Sequence, residues 1–218
     1  MNQDEQVTPK TKKCPYCAEE VPAEAVKCKY CGEWLVKSQN SNVQALWRLF
    51  ILSFMTFNIY HIYWFYRNWR DLKNHRKLDD YSPILYTIFL LVPMLNIYFI
   101  YSQFKDIQEF AKQAGSQTYT SPGGLTFFYV FLRFIEVISF KVVNPSTHPI
   151  DYLLLSIFLL LSSTVVLGIV QNTLNIFWKK EQPELKIRQQ FTKKEMACLI
   201  IGGIWWVFVL ISLVMPKQ

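Results

Sequence analysis

Two long runs of apolar residues constrain this chain more than any other feature. They cover residues 150–170 and 196–214, and each is about as long as the ~20 apolar residues that cross the hydrocarbon core of a bilayer. A third, shorter run covers residues 124–140. A soluble core does not need several such runs, so the pattern predicts an all-α integral membrane protein with three transmembrane helices in residues 123–215.

The first 42 residues differ from the rest, because they are polar and carry equal numbers of lysines and acidic residues. The net charge of +7 therefore arises in the apolar part, at the ends of its apolar segments. This placement favours contact with anionic lipid headgroups and argues against a nucleic-acid partner. Residues 1–42 contain no apolar h-region, so we expect the first apolar segment, which begins near Val43, to be the insertion signal.

Two Cys-x-x-Cys pairs lie in this polar part, Cys14 with Cys17 and Cys28 with Cys31. Together they supply four thiolates that close a tetrahedron around one Zn²⁺, which leaves no open position and predicts a structural site. An iron centre of the rubredoxin type uses the same ligands and stays an alternative. Two disulfides would need an oxidising compartment, and a redox pair needs only one Cys-x-x-Cys.

The cysteines predict a zinc ribbon over residues 12–36, preceded by a disordered tail (1–11) and followed by a linker (37–42). A domain this small depends on its metal for most of its folding free energy. The expected apolar core around the site consists of Tyr16, Val21, Val26, Tyr30, Trp34 and Leu35. The segment resembles the short zinc ribbons at the ends of many uncharacterised bacterial proteins, which implies the metal and says little about the activity.

An internal repeat lies between the ribbon and the three long runs. The sequence Asn58-Ile-Tyr-His-Ile-Tyr63 recurs as Asn96-Ile-Tyr-Phe-Ile-Tyr101, with an apolar run before each copy and a charged tail after it. Chance similarity between aromatic-rich segments is the alternative to a true repeat. A repeat predicts two similar supersecondary units within residues 43–115. We expect two helical hairpins, re-entrant or spanning, that bend at 56–58 and at 93–96.

Charge counting separates the re-entrant arrangement from simple spans. If each hairpin enters and leaves on one side, the segments 1–48, 67–82, 105–122 and 179–194 share that side and hold nearly all of the 23 Lys and Arg residues. Simple spans would instead place the basic loop 67–82 outside. The positive-inside rule therefore favours re-entrant hairpins with the N-terminus in the cytoplasm. The charged tails 67–78 and 105–114 are either interfacial helices or extensions of the membrane helices.

The segment from Thr56 to Trp64 also carries a resemblance. It reads Thr-Phe-Asn-Ile-Tyr-His-Ile-Tyr-Trp and resembles the signature Thr-x-Gly-Ile-Tyr-x-x-Tyr-Trp of a family of uncharacterised bacterial membrane proteins. The resemblance covers about residues 45–115, implies a multi-pass domain of the bacterial inner membrane and implies no chemistry. Asn58 replaces the glycine of the signature, which fits a left-handed position because Asn tolerates one.

Polar residues inside the apolar runs are the remaining candidates for a site. Arg133 and Glu136 are three residues apart, so on a helix they share a face and pair. Such a pair is a functional intramembrane site, a structural pair buried against the hairpins, or a pair near the membrane interface whose charged groups snorkel toward water. The polar cluster Gln171, Asn172 and Asn175 either lines a cavity or marks the membrane interface.

These observations predict a membrane-anchored scaffold protein, with Zn²⁺ as its cofactor and a protein partner or a second copy of the chain docked to it. Hairpins that fill one leaflet more than the other add bilayer shaping as an extension of this role. The alternative is a transporter or channel component that uses Arg133 and Glu136. We find no phosphate loop, nucleophile elbow or His-Glu-x-x-His motif, so we expect no enzyme.

Overall fold

The structure is a computed structural model that describes residues 11–25, 27–32, 35, 40–78, 80–142 and 149–214. For residues 140–142, 149, 152, 194 and 212–214 it describes only the backbone. The chain separates into two compact units, Met1–Ser41 and Asn42–Gln218, which we call the N-terminal unit and the helical unit.

The N-terminal unit contains a short antiparallel hairpin of β1 (Thr11–Lys13) and β2 (Glu20–Pro22), with Lys12 opposite Val21. Because alternate residues of a strand face opposite sides, Val21 turns inward between two outward-facing neighbours and is almost fully buried. It packs against the buried cysteines Cys14 and Cys28. The core of this unit therefore forms around the cysteines.

The predicted core of the ribbon is partly wrong. Tyr16 and Tyr30 are each 56% exposed, because both lie inside the Cys-x-x-Cys turns, which aim the sulfurs inward and the rings outward. Val21 is buried and Leu35 packs beside it. Val26 and Trp34 lie outside the described residues, as do residues 1–10 of the predicted tail and 37–39 of the predicted linker.

The described residues of the helical unit form seven helices. They are α1 (Leu46–Met55), α2 (Tyr60–Arg76), α3 (Pro83–Phe89), α4 (Pro93–Gln113), α5 (Pro122–Val142), α6 (Pro149–Glu181) and α7 (Lys193–Val214). The helix α6 contains 33 residues and packs against α1, α4 and α5, so it is the central support of the unit.

The first two helices run in opposite directions along α6. On the α1 side, the N–H of Asn42 donates to Gln182 Oε1 and that of Gln44 donates to Asn175 Oδ1, each at 2.9 Å. At the other end of α1, the side-chain amide of Asn58 donates to Ser163 Oγ at 2.9 Å. From Asn58 the helix α2 returns along α6, so α1 and α2 form an antiparallel hairpin.

The turn of this hairpin coincides with the predicted bend at 56–58. The helix α1 ends at Met55, and Phe57 and Asn58 have φ values of 50° and 63°. Two successive residues in the left-handed region reverse the chain within a few residues, and asparagine is one of the few residue types that adopts this region readily.

The second hairpin consists of α3 and α4, and its bend differs from the prediction of 93–96. The break lies at residues 90–92, whereas Pro93 is the first residue of α4 and Asn96 is inside that helix. Proline has no N–H to donate and a φ that suits the first helical turn, so Pro93 starts a helix instead of bending one. The two copies of the repeat therefore place their Asn-Ile-Tyr sequences differently.

The charged tails of the two copies do correspond. Both are continuous with their helices, α2 and α4, which favours the interpretation as extensions of these helices. Arg67 lies 3.8 Å from Asp71, and Lys105 lies 3.7 Å from Glu109, each pair four residues apart. The aligned charges of the repeat thus form the same kind of pair on each helix.

Within the described residues, two helices contain segments that are long and apolar enough to cross a membrane, Pro122–Ser139 in α5 and Leu153–Glu181 in α6. In α7 the described apolar stretch, Glu195–Ile211, is shorter. The structure thus supports two of the three predicted spans by length and composition.

The last helix, α7, packs closely along α1. Trp206 stacks on Phe54 and Phe57, and its indole N–H donates to the carbonyl oxygen of Phe54 at 3.1 Å. A Cβ added to Gly202 would lie only 2.1 Å from the carbonyl oxygen of Met55. Glycine at this position therefore sets how closely the two backbones approach.

We expect Gly202→Ala to lower the free energy of unfolding by roughly 1–3 kcal/mol, because the added methyl group forces α7 away from the backbone of α1. The measurement is the midpoint of thermal unfolding in detergent, followed by near-ultraviolet circular dichroism of the packed tryptophans.

The control is Gly203→Ala. A Cβ there would first meet the flexible Met55 side chain, at an ordinary 3.6 Å, so this variant should unfold at or slightly above the wild-type midpoint. Equal losses for the two variants would contradict the close approach at Gly202.

Candidate metal centre and buried polar network

The first cysteine pair is shaped by the turn that follows β1. The N–H of Cys14 donates to the carbonyl oxygen of Glu19, and the N–H of Ala18 donates to that of Cys14, both at 2.9 Å. Ala18 has a φ of 61°, a left-handed conformation that closes the turn just after Cys17. These bonds fix the backbone so that both sulfurs point to one side.

The second pair has a similar turn. The N–H of Gly32 donates to the carbonyl oxygen of Cys28 at 3.0 Å, and Gly32 has a φ of 74°. A Cβ at Gly32 would meet nothing within 4 Å. Glycine is therefore favoured here by its backbone conformation and not by lack of space.

The two turns bring all four sulfurs together. The sulfur of Cys14 lies 3.7 Å from that of Cys31, Cys17 and Cys28 are equally close, and all four sulfurs lie within 4.8 Å of one another. A tetrahedron with metal–sulfur bonds of about 2.3 Å has edges of about 3.8 Å. The cluster is therefore arranged to hold a metal ion with four protein ligands.

The crowded thiols differ in their affinity for protons. A hydrogen bond to the backbone at Glu19 lowers the pKa of Cys17, but burial and the thiols of the other three cysteines outweigh it and raise this pKa to about 12. Backbone hydrogen bonds at Cys31 and Tyr30 lower the pKa of Cys28 to about 7, against the effect of burial. Thiols this close cannot all ionise unless a cation compensates their charge, so binding of a metal should release protons.

A network of buried polar side chains surrounds the tip of the first hairpin. Asn58 is almost fully buried, and its amide donates to Ser163 Oγ and lies 3.4 Å from both the carbonyl oxygen of Leu160 and Glu136 Oε2. The hydroxyl of Thr164 lies 3.3 Å from Asn58 Oδ1. One side chain thus connects the hairpin to α5 and α6.

His61 extends this network by one helical turn. Its Nδ1 lies 3.0 Å from the hydroxyl of Tyr129, and its Nε2 lies 3.3 Å from that of Thr164. Both ring nitrogens therefore have partners. The structure therefore places His61 in a hydrogen-bonded core.

Arg133 and Glu136 are brought together, as their spacing suggested. Their side chains pair at 2.5 Å, and Glu136 is buried whereas Arg133 is about one-third exposed. Because Glu136 also contacts Asn58, the pair belongs to the same network. Whether it acts as a functional site stays a prediction.

A second polar layer lies further along α6. Gln171 accepts a hydrogen bond from the Trp64 indole at 2.7 Å and donates to Asn175, which in turn bonds both the N–H and the carbonyl oxygen of Gln44. Of the polar cluster noted in the sequence, Gln171 and Asn175 are buried in this layer, whereas Asn172 is exposed. The cluster therefore splits between two faces of α6.

Sequence reasoning missed one buried ion pair. Arg48 is fully buried and pairs with Glu195 at 2.7 Å, and Arg188 pairs with the other oxygen of Glu195 at 3.0 Å. A signal for Glu195 was present, because Thr192 and Glu195 form a capping box in which each side chain bonds the other's N–H. Its link to Arg48 joins residues far apart in the sequence.

The comparison with protein families gave one match. Residues 44–111 match the model of a "Domain of unknown function (DUF4234)". The matched segment contains both copies of the repeat, from the start of α1 to near the end of α4. No curated protein and no solved structure matches the chain.

We expect Asn58→Ala to destabilise the protein more than Asn58→Gly does. Both variants lose the hydrogen bonds to α6, worth roughly 0.6 kcal/mol each in a membrane protein. Only alanine must also hold a left-handed conformation, which costs about 1–2 kcal/mol. The measurement is the thermal midpoint in detergent.

Each of the two variants is the control for the other, because they differ only in the Cβ at residue 58. A lower midpoint for alanine than for glycine confirms that the backbone conformation of residue 58 matters apart from its side chain. Equal midpoints would show that the positive φ carries no cost.

Proposed function

We propose that the chain is a scaffold protein of the bacterial inner membrane, whose N-terminal unit binds Zn²⁺ and docks a protein partner on the cytoplasmic side. The four thiolate ligands with closed tetrahedral spacing fit zinc and leave no position for a substrate. This favours a structural and docking role for the metal over a catalytic one.

The observation that carries the proposal is that the polar segments gather at one end of α6. His75 contacts Glu181 at 2.7 Å, Lys180 donates to the carbonyl oxygen of Gly115, and Asn42 bonds Gln182. The start of the first hairpin, the end of α2 and the segment after α4 thus all lie beside the C-terminal end of α6. These segments hold most of the basic residues, so the positive-inside rule supports a cytoplasmic location for this end.

The depth of the first hairpin supports a re-entrant arrangement. Its tip, at Asn58, contacts Leu160, Ser163 and Thr164, which lie in the middle of the apolar run 150–170. If that run crosses the bilayer, the hairpin turns near its centre. Bent backbone at this depth must be covered by protein, and α5, α6 and α7 lie around the turn.

Exposed apolar side chains support contact with lipid. Leu91 and Met94, at the bend of the second hairpin, are 67% and 82% exposed, and Phe134 and Phe208 are more than half exposed. A water-soluble surface rarely carries so many large apolar residues. The basic tails of α2 and α4 would meet anionic headgroups at the cytoplasmic surface.

The chain enters the helical unit at Asn42, beside Gln182. If this end faces the cytoplasm, the N-terminal unit lies on the cytoplasmic side of the membrane. A small domain on that side suits the recruitment of a protein partner, either another protein or a second copy of the chain.

The membrane placement predicts how introduced cysteines react. In a Cys198→Ser background, Asp151→Cys at the start of α6 should react with a membrane-impermeant maleimide in intact spheroplasts. Asn74→Cys, an exposed position near the end of α2, should react only after the membrane is permeabilised. Labelling of Asn74→Cys in intact spheroplasts would contradict the cytoplasmic placement of the 72–80 segment.

The docking role predicts that a partner depends on the metal. Partners captured from detergent-solubilised native membranes should be lost with the double variant Cys28→Ser, Cys31→Ser, because the N-terminal unit unfolds without its metal. The purified wild type should carry one zinc per chain and the double variant none, measured by inductively coupled plasma mass spectrometry.

The matched control is Cys198→Ser, because Cys198 lies on α7 and outside the four-cysteine cluster. It should keep both the zinc and the partner. An unchanged partner set for the double variant, at normal membrane abundance, would contradict docking through the N-terminal unit.

Transport through the membrane is a second candidate function, supported by the Arg133–Glu136 pair, in which Glu136 is buried and Arg133 is about one-third exposed. Buried charges at this depth are costly and are common in transport pathways. In this structure, however, Glu136 bonds Arg133 and Asn58, and His61 bonds Tyr129 and Thr164. Polar groups that bond one another in this way favour a packing role.

A further inference from the structure

A groove runs along α6 between α1 and the segment that precedes α5. It encloses about 590 Å³, a size typical of sites for small ligands. Its apolar walls are Leu46 and Phe50 of α1 and Val165 and Ile169 of α6. Leu46, Val165 and Ile169 are exposed, so the groove opens to the surroundings of the helices.

The side chains that line the groove change from apolar to polar along its length. Toward the C-terminal end of α6 it is lined by the polar side chains of Asn172, Gln117 and Thr118. Lys180 follows in the same row of α6, one turn beyond the lining residue Ile176. A ligand that fits the whole groove therefore has an apolar part and a polar part.

Lys180 supplies a positive charge at the polar end. Its ammonium group donates to the carbonyl oxygens of Gly115 at 2.5 Å and Ala114 at 3.3 Å, which holds it beside the segment that contributes Gln117. An ammonium group has three donors, and Lys180 is exposed. It is therefore placed to bind an anion at the mouth of the groove.

The position of the groove along α6 matches the boundary of a membrane. Val165 lies within the apolar run 150–170, whereas Asn172 and Ile176 lie beyond it. If the run crosses the bilayer, the apolar end of the groove faces acyl chains and the polar end faces headgroups. This step rests on the membrane placement proposed above.

We propose that this groove binds one anionic phospholipid. An acyl chain lies against Phe50, Val165 and Ile169, and the phosphate group meets Lys180 at the polar end, with Gln117 beside it. Basic pockets between helices on the cytoplasmic side suit anionic headgroups. The bound lipid fills the space between α1 and the start of α5 and thereby stabilises the first hairpin against α6.

The test counts lipids on the purified protein. The full chain is reconstituted in nanodiscs with equal amounts of phosphatidylglycerol and phosphatidylcholine, released into detergent and examined by native mass spectrometry. We expect the wild type to retain one phosphatidylglycerol per chain. Ile169→Trp, which fills the groove from an exposed position, should reduce the retained lipid at least five-fold.

Two matched variants control for general effects. Leu154→Trp places the same side chain at an exposed position of α6 outside the groove and should retain lipid as the wild type does. Lys180→Gln should reduce the preference for phosphatidylglycerol about five-fold, the effect of one lysine at a membrane surface. Lys179→Gln, on the neighbouring exposed lysine, should leave the preference unchanged.

Equal retention by the wild type and Ile169→Trp, or equal retention of the two lipids by the wild type, would overturn the proposal. Circular dichroism shows whether each variant is folded. Failure of the scaffold function would appear separately, in the partners captured through the N-terminal unit. Failure of the membrane placement would appear in the cysteine labelling.

Discussion

The break between α1 and α2 interrupts the helical hydrogen bonds, so the buried backbone polar groups at this turn need other partners within the protein. The structure meets this requirement locally and at a distance. The hydroxyl of Thr56 donates to the carbonyl oxygen of Leu52 and accepts from the N–H of Tyr60, and the N–H of Asn58 donates to the carbonyl oxygen of Ser53. The Asn58 side chain then bonds α6. The hairpin is therefore stable only where α6 lies beside it.

Two polar layers fix how α6 sits against the hairpin. The layer at the tip of the first hairpin joins Asn58 to Ser163. The second layer, nearer the C-terminal end of α6, joins Trp64 to Gln171. A shift of either helix by one turn would leave several of these groups buried without partners, which costs more than the hydrogen bonds themselves contribute. Between these layers the contacts are apolar and would tolerate sliding. The polar pairs thus specify the register, while apolar packing supplies most of the stability.

The two units of the chain differ in how many apolar side chains they bury. The helical unit has a large apolar core whose buried members extend along the chain from Val43 to Trp178. The N-terminal unit buries only a few apolar side chains around its cysteines, and so small a core contributes little stability by itself. At the centre of this core lies the four-cysteine cluster, which is arranged to hold a metal ion.

The sequence by itself determined the features that depend on local chemistry. The cysteine spacing predicted the four-sulfur cluster, and the long apolar run 150–170 predicted the segment of α6 that is long and apolar enough to cross a membrane. The tolerance of Asn58 for a left-handed conformation predicted the first bend. Tertiary structure alone decided which distant residues meet, such as Arg48 with Glu195 and His61 with Tyr129. Local chemistry also explains why the second copy of the repeat bends before Pro93, because proline suits the first turn of a helix. Local patterns specify conformation and burial, whereas pairing across the fold depends on how whole helices pack, and no single segment encodes that.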